Sequence, residues 1–112
     1  MAFAIYYNLA DLTPLVALAQ AQASFTNAEK QLAGKIWNGG LRDWDKASNL
    51  VGASDPHAGG DPDCRRVVIN AQGVTLADFI GLCRTVGNRV PGAIFLDAIA
   101  SDLQTTAVEP WP

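Results

Sequence analysis

Arg65-Arg66-Val67-Val68-Ile69-Asn70, then Ala71-Gln72-Gly73, then Thr75-Leu76-Ala77-Asp78, is the stretch whose reading decides the fold. The β-branched run of the first six residues reads as a strand. Ala71-Gln72-Gly73 reads as a turn. Thr75 stands three residues before Asp78, the spacing at which two side chains satisfy each other's backbone N–H groups at a helix start. Leu76, Phe79, Ile80, Cys83 and Val86 then recur at three- and four-residue intervals, the apolar stripe of a helix. Gly87 closes that helix in this reading. A strand, a tight turn and an amphipathic helix in succession indicate an α+β domain.

The same logic extends toward the N-terminus. Residues 2–7, aromatic and β-branched, form a second short strand. Asn8 or Asp11 can open a helix, and Thr13-Pro14 is a sharper start because proline suits the first helical position. Leu15 to Gln22 is helical by propensity. Thr26-Asn27-Ala28-Glu29 is a capping box with Phe25 at the staple position. Its helix places Ala28, Leu32, Ile36 and Phe25 on one face and ends at Asn38-Gly39-Gly40. Leu41, Trp44, Ala47, Leu50 and Val51 predict a further helix over 41–50, closed by Gly52. Residues 53–63 are dense in Gly, Pro and Asp and read as a loop.

Toward the C-terminus, Pro91-Gly92 breaks the chain. Phe95, Leu96, Ile99 and Leu103 then recur at helical spacing. Ile94-Phe95-Leu96 as a short strand leading into a helix at Asp97 is the alternative. The absence of Gly and Pro over 93–104 favours the helix. Residues 105–112 end in Val108-Glu109-Pro110-Trp111-Pro112. Proline fixes φ and removes a donor, so this segment cannot extend a helix or sit inside a sheet. The expectation is a small, single α+β domain over 1–104, mainly helical, with four to five short helices and two short strands. An extended arm over 105–112 follows it.

Length and composition bound the function. The 112 residues fit one domain, and 49% apolar content allows a core without staples. Only 17% of residues are charged, below the usual ~25%, which favours packed interfaces over a fully solvated surface. The net charge is −3. Every Lys and Arg precedes Val90, and the largest basic cluster is Arg65-Arg66. Nucleic-acid binding needs a cationic footprint that this pattern does not supply. No secretory signal pattern and no run near ~20 apolar residues is present, so membrane and signal-directed secretion are not expected. The expected setting is a virion or the cytoplasm.

Candidate chemistry concentrates in one place, Asp55-Pro56-His57-Ala58-Gly59-Gly60-Asp61-Pro62-Asp63-Cys64. These are metal-ligand residue types, but zinc wants paired Cys or His, and the chain has one His. Asp61 and Asp63 supply only half of a calcium loop. An exposed turn whose Asp side chains cap nearby amides is the favoured reading, with no metal and no cofactor. A nucleophile needs a base, and only His57 is available. Cys64 and Cys83 read as two reduced thiols, Cys83 on a buried stripe, with a bridge between them as the alternative. Asp43 and Asp45 flank Trp44, an arrangement that suits either a sugar platform or, more simply, a buried Trp between solvated acids.

With no complete catalytic set, the chain is expected not to be an enzyme. It reads as a structural or assembly subunit contacting other protein subunits. By analogy of type with small particle subunits, a globular body with an arm reaching a neighbour, a head or tail component of a bacteriophage is the first instance to name. Val108, Pro110, Trp111 and Pro112 are the expected interface residues, because proline limits the unbound arm and Trp supplies a large anchor. A small enzyme or ligand-binding domain using residues 53–64, and a regulatory or inhibitory protein binding one partner, are the alternatives.

Overall fold

The computed structural model describes residues 2–12, 14–43, 51, 61–105 and 109–111. The element order is β1 (Ala2–Asn8), α1 (Leu9–Leu12), α2 (Pro14–Ala21), α3 (Asn27–Gly39), a 3-10 turn (Leu41–Asp43), β2 (Cys64–Ile69), α4 (Leu76–Arg89), α5 (Ile94–Thr105) and β3 (Glu109–Trp111). The class is α+β, as the strand–turn–helix run indicates. The sheet is antiparallel in the order β2-β1-β3, so it has three strands where two were expected.

β1 pairs along its length with β2, Phe3 opposite Ile69, Ile5 opposite Val67 and Tyr7 opposite Arg65. Phe3, Ile5, Val67 and Ile69 are buried, and helices cover this face. Phe3 meets Phe79 of α4 edge to face, with ring centroids 6.1 Å apart. Backbone groups alternate sides along a strand. Val51 N–H donates to Cys64 O at 3.0 Å on the outer edge of β2. Arg65, Val67 and Ile69 therefore turn their backbone groups toward β1, and Ala2 and Ala4 turn theirs toward β3. Pro110 lies opposite Phe3, at the position whose missing N–H would point away from the sheet. An edge strand in that phase accepts proline without losing a ladder bond.

The capping signals are realised in detail. Thr26 Oγ1 accepts from Glu29 N–H at 3.2 Å, and Glu29 Oε1 accepts from Thr26 N–H at 2.9 Å. Thr75 and Asp78 repeat the exchange at 3.1 and 2.9 Å. Two turns need glycine for its positive φ. Gly73 (φ 78°) lies in the turn closed by Val74 N–H on Ala71 O. Gly92 (φ 83°) lies in the turn closed by Ala93 N–H on Val90 O, with Pro91 just before it. Both follow the pattern of a type II turn.

The helices depart from expectation in some details. Gly87 does not end α4, which runs on to Arg89. Residues 94–105 are all helix, the favoured reading over a strand at 94–96, and Phe95 lies outside the buried stripe of Leu96, Ile99, Ala100 and Leu103. On α3 the buried face is Ala33 and Ile36, with Leu32 half-buried and Ala28 exposed, because the helix leans on α2. The predicted helix over 41–50 begins as a 3-10 turn, and residues 44–50 lie outside the described residues.

Candidate interaction surfaces

The side chains left outside the core are built up from the helix phases. On α3, burial of Ile36 against the core turns Trp37 about 100° away, onto the α2 side. There Trp37, 38% exposed, forms with Val16, Ala17 and Gln20 a cleft of about 260 Å³. α2 contributes no charged residue to it. On α5, burial of Leu96 and Ile99 turns Ile94 and Phe95 outward. They are 63% and 38% exposed, directly after the Pro91-Gly92 turn. Trp37, Ile94 and Phe95 are the exposed large apolar residues among those described.

The polar groups around the same helices are engaged with one another. Arg84 donates to Asp97 at 2.9 Å and to Gln104 at 2.8 Å, and Asn88 donates to Asp97 at 3.0 Å. This network ties α4 to α5. Arg89 donates to both oxygens of Glu29, at 2.9 and 3.1 Å, and its guanidinium lies 5.3 Å from the Phe25 ring centre. The Thr26 backbone N–H, then Arg89, hold the Glu29 carboxyl below the usual range. Burial pushes Tyr7 above the usual phenol range, and the neighbouring Asp102 carboxylate, to which Tyr7 donates, adds to the shift. Burial also raises the Cys83 thiol to about 12.

The residues singled out by sequence fall as follows. Asp61 accepts from Asn8 Nδ2 at 3.0 Å and from Asp63 N–H at 2.9 Å. Those two bonds, the Asn8 one first, lower its pKa. This is the amide-capping turn expected of these acids. Among the described residues no three His, Cys, Asp or Glu side chains come together in a way that would hold a metal ion. Asp55, His57, Trp44 and Asp45 lie outside the described residues, as do Val108 and Pro112. Pro110 and Trp111 lie in β3, whose backbone pairs with β1 of the same chain. Cys64 and Cys83 are both free thiols and both buried. Cys83 is buried as its stripe indicated, and Cys64 is buried too, packed with Val51 and Tyr6 on the outer face of the sheet.

The cleft at Trp37 was missed by sequence reasoning. Its signal is phase: Trp37 falls beside, and not on, the stripe carrying Ile36. No described helix is long and apolar enough to cross a membrane. Neither family models, curated protein sequences nor solved structures match the chain.

Proposed function

We propose that this chain is a non-enzymatic structural subunit that acts through protein–protein contacts in a larger assembly. The observation that carries the reading is the exposure of Trp37, Ile94 and Phe95 on a chain in which only 17% of residues are charged. Aromatic side chains are enriched at interface hot spots, and charge is depleted at interface centres. The groups with displaced pKa values among the described residues fit it too. Glu29, Asp61, Tyr7 and Cys83 are each accounted for by a cap, a turn, a hydrogen bond or burial.

The particular setting we propose is the head or tail of a bacteriophage particle, assembled from cytoplasmic subunits. The terminal segment belongs to the same proposal. β3 is an edge strand, and Val108, Pro110, Trp111 and Pro112 are the residues through which a neighbouring subunit would be met. The test is the mass of the chain as isolated from its natural source under native conditions. A complex far above 11.9 kDa is expected, and a lone 11.9 kDa species overturns the reading. Mass spectrometry of purified particles tests the viral setting, where absence of the chain rules it out.

A further inference from the structure

Two stripes on different helices match in spacing and oppose in charge. On α3, Lys30 precedes Trp37 by seven residues, so the two lie on one line along the helix. On α5, Asp102 follows Phe95 by seven residues, again on one line. Both separations are about 10.5 Å at ~1.5 Å rise per residue. α3 carries Lys30 and Lys35 with one acid, Glu29, which Arg89 of α4 already engages. α5 carries no cation and two acids, Asp97, which Arg84 and Asn88 of α4 already engage, and Asp102. Trp37 borders the cleft, and Phe95 is exposed to the same extent, 38%.

We propose that the chain associates with a second copy of itself head to tail, Phe95 of one copy seated against Trp37 in the α2–α3 cleft of the next. Asp102 of the first copy then faces Lys30 of the second. Phe95 to Asp102 runs with the chain and Trp37 to Lys30 runs against it, so the two helices lie antiparallel. Stacking α5 on α3 pairs Asp102 with Lys30, which are of opposite sign. Asp102 already accepts from Tyr7, and an ionised carboxylate has capacity for further donors.

The contact is small. Aromatic side chains present roughly 150–250 Å² each when fully exposed, so these partly exposed ones bury far less than the ~800 Å² per partner of a stable complex. Each contact is therefore weak. A head-to-tail contact repeats, however, and builds a ring or a filament. This inference rests on the assembly reading and names the partner as the chain itself.

The test is sedimentation of the purified full chain over a wide concentration range, alone and as a mixture of two variants. Phe95→Asp removes the projecting side and leaves the cleft. Trp37→Glu removes the cleft wall and leaves the projection. The wild-type mass is expected to climb past the dimer, with each variant alone shifted to about 30-fold higher concentration. An equal mixture is expected to form dimers and nothing larger, since one productive contact remains. Phe95→Ser and Trp37→Ser replace any charged variant that far-UV circular dichroism shows to be unfolded. If the wild type associates but neither variant alters it, or the mixture stays monomeric, the proposed contact is wrong while the assembly reading stands. A wild type that is monomeric throughout also overturns the contact, and the native-source mass then decides the assembly reading separately.

Discussion

Gly87 and Asp97 bring α4 and α5 backbone to backbone. A Cβ placed on Gly87 would lie 2.5 Å from the Asp97 amide nitrogen and 3.0 Å from its Cβ. The neighbour is main chain and has no rotamer into which to retreat. Gly87→Ala is expected to destabilise the fold by about 1–3 kcal/mol, the range for overpacking. Gly81, on the same helix, has open space where its Cβ would be. Gly81→Ala is expected to stabilise by about 0.5–1 kcal/mol through helix propensity alone. Urea unfolding of the two variants measures both, and opposite signs are the expected result.

Stability should fall at alkaline pH. Burial raises Cys83 from 9.0 to about 12, and burial with Asp102 raises Tyr7 above its ordinary 10.0. Both groups hold their proton more tightly in the folded state. Stability is whole below the unfolded values and is lost as pH rises, from about 9 for Cys83 and about 10 for Tyr7, toward the folded values. Cys83 contributes a slope of up to about 1.4 kcal/mol per pH unit in that window. Tyr7→Phe should flatten the decline above pH 10. Thiol labelling at pH 8 should be slow at both Cys64 and Cys83 until denaturant is added.

Arg89→Met tests the clamp between α3 and α4. It removes the pair with Glu29 and the contact over Phe25. Both are partly exposed, so the expected loss is about 1 kcal/mol, smaller in high salt. The Glu29 carboxyl sits below its ordinary range, so its contribution is present at neutral pH and disappears as pH falls through the folded value. The difference between wild type and Arg89→Met should therefore shrink in acid, as read from melting curves at stepped pH.

Deleting residues 106–112 removes β3 and leaves the backbone of Ala2 to Ala4 without that neighbour. The expected cost is about 1–2 kcal/mol for the lost strand pairing, or a melting temperature lower by roughly 5–10 °C. Calorimetry of the truncated chain checks it. An unchanged melting temperature with altered mass would place the segment's role between chains and not within one.

Much of the fold was legible because local signals dominated it. Thr26 with Glu29 and Thr75 with Asp78 each fix a helix start within four residues, and Pro91-Gly92 fixes a turn. The misreadings share a cause, which is contact between segments distant in sequence. Gly87 resembles a helix end, yet it is there because α5 crosses at that point. Gly39 and Gly40 do end α3 as expected, but without a left-handed residue. The cap at Gly40 is in fact extended (φ 178°), and both glycines make room for the β2 end, Gly39 beside Ala71 and Gly40 beside Val68 O. The spacing of Phe95, Leu96 and Ile99 allows two helix phases, and only packing on α4 selects the one that leaves Phe95 outward. The candidate surface was less legible, since an exposed Trp37 and a buried one look alike until the partner helix α2 is in place.

β1 is the first element of the chain and the middle strand of the sheet. One neighbour lies some sixty residues later and the other more than a hundred. During synthesis β1 therefore leaves the ribosome with both backbone edges unpaired, and its second edge stays so until Trp111 has emerged. Contacts this distant make for slow closure. An apolar strand waiting in that state is open to capture by other nascent chains, which would make the yield of folded protein depend on expression rate and on holding chaperones more than its small size suggests.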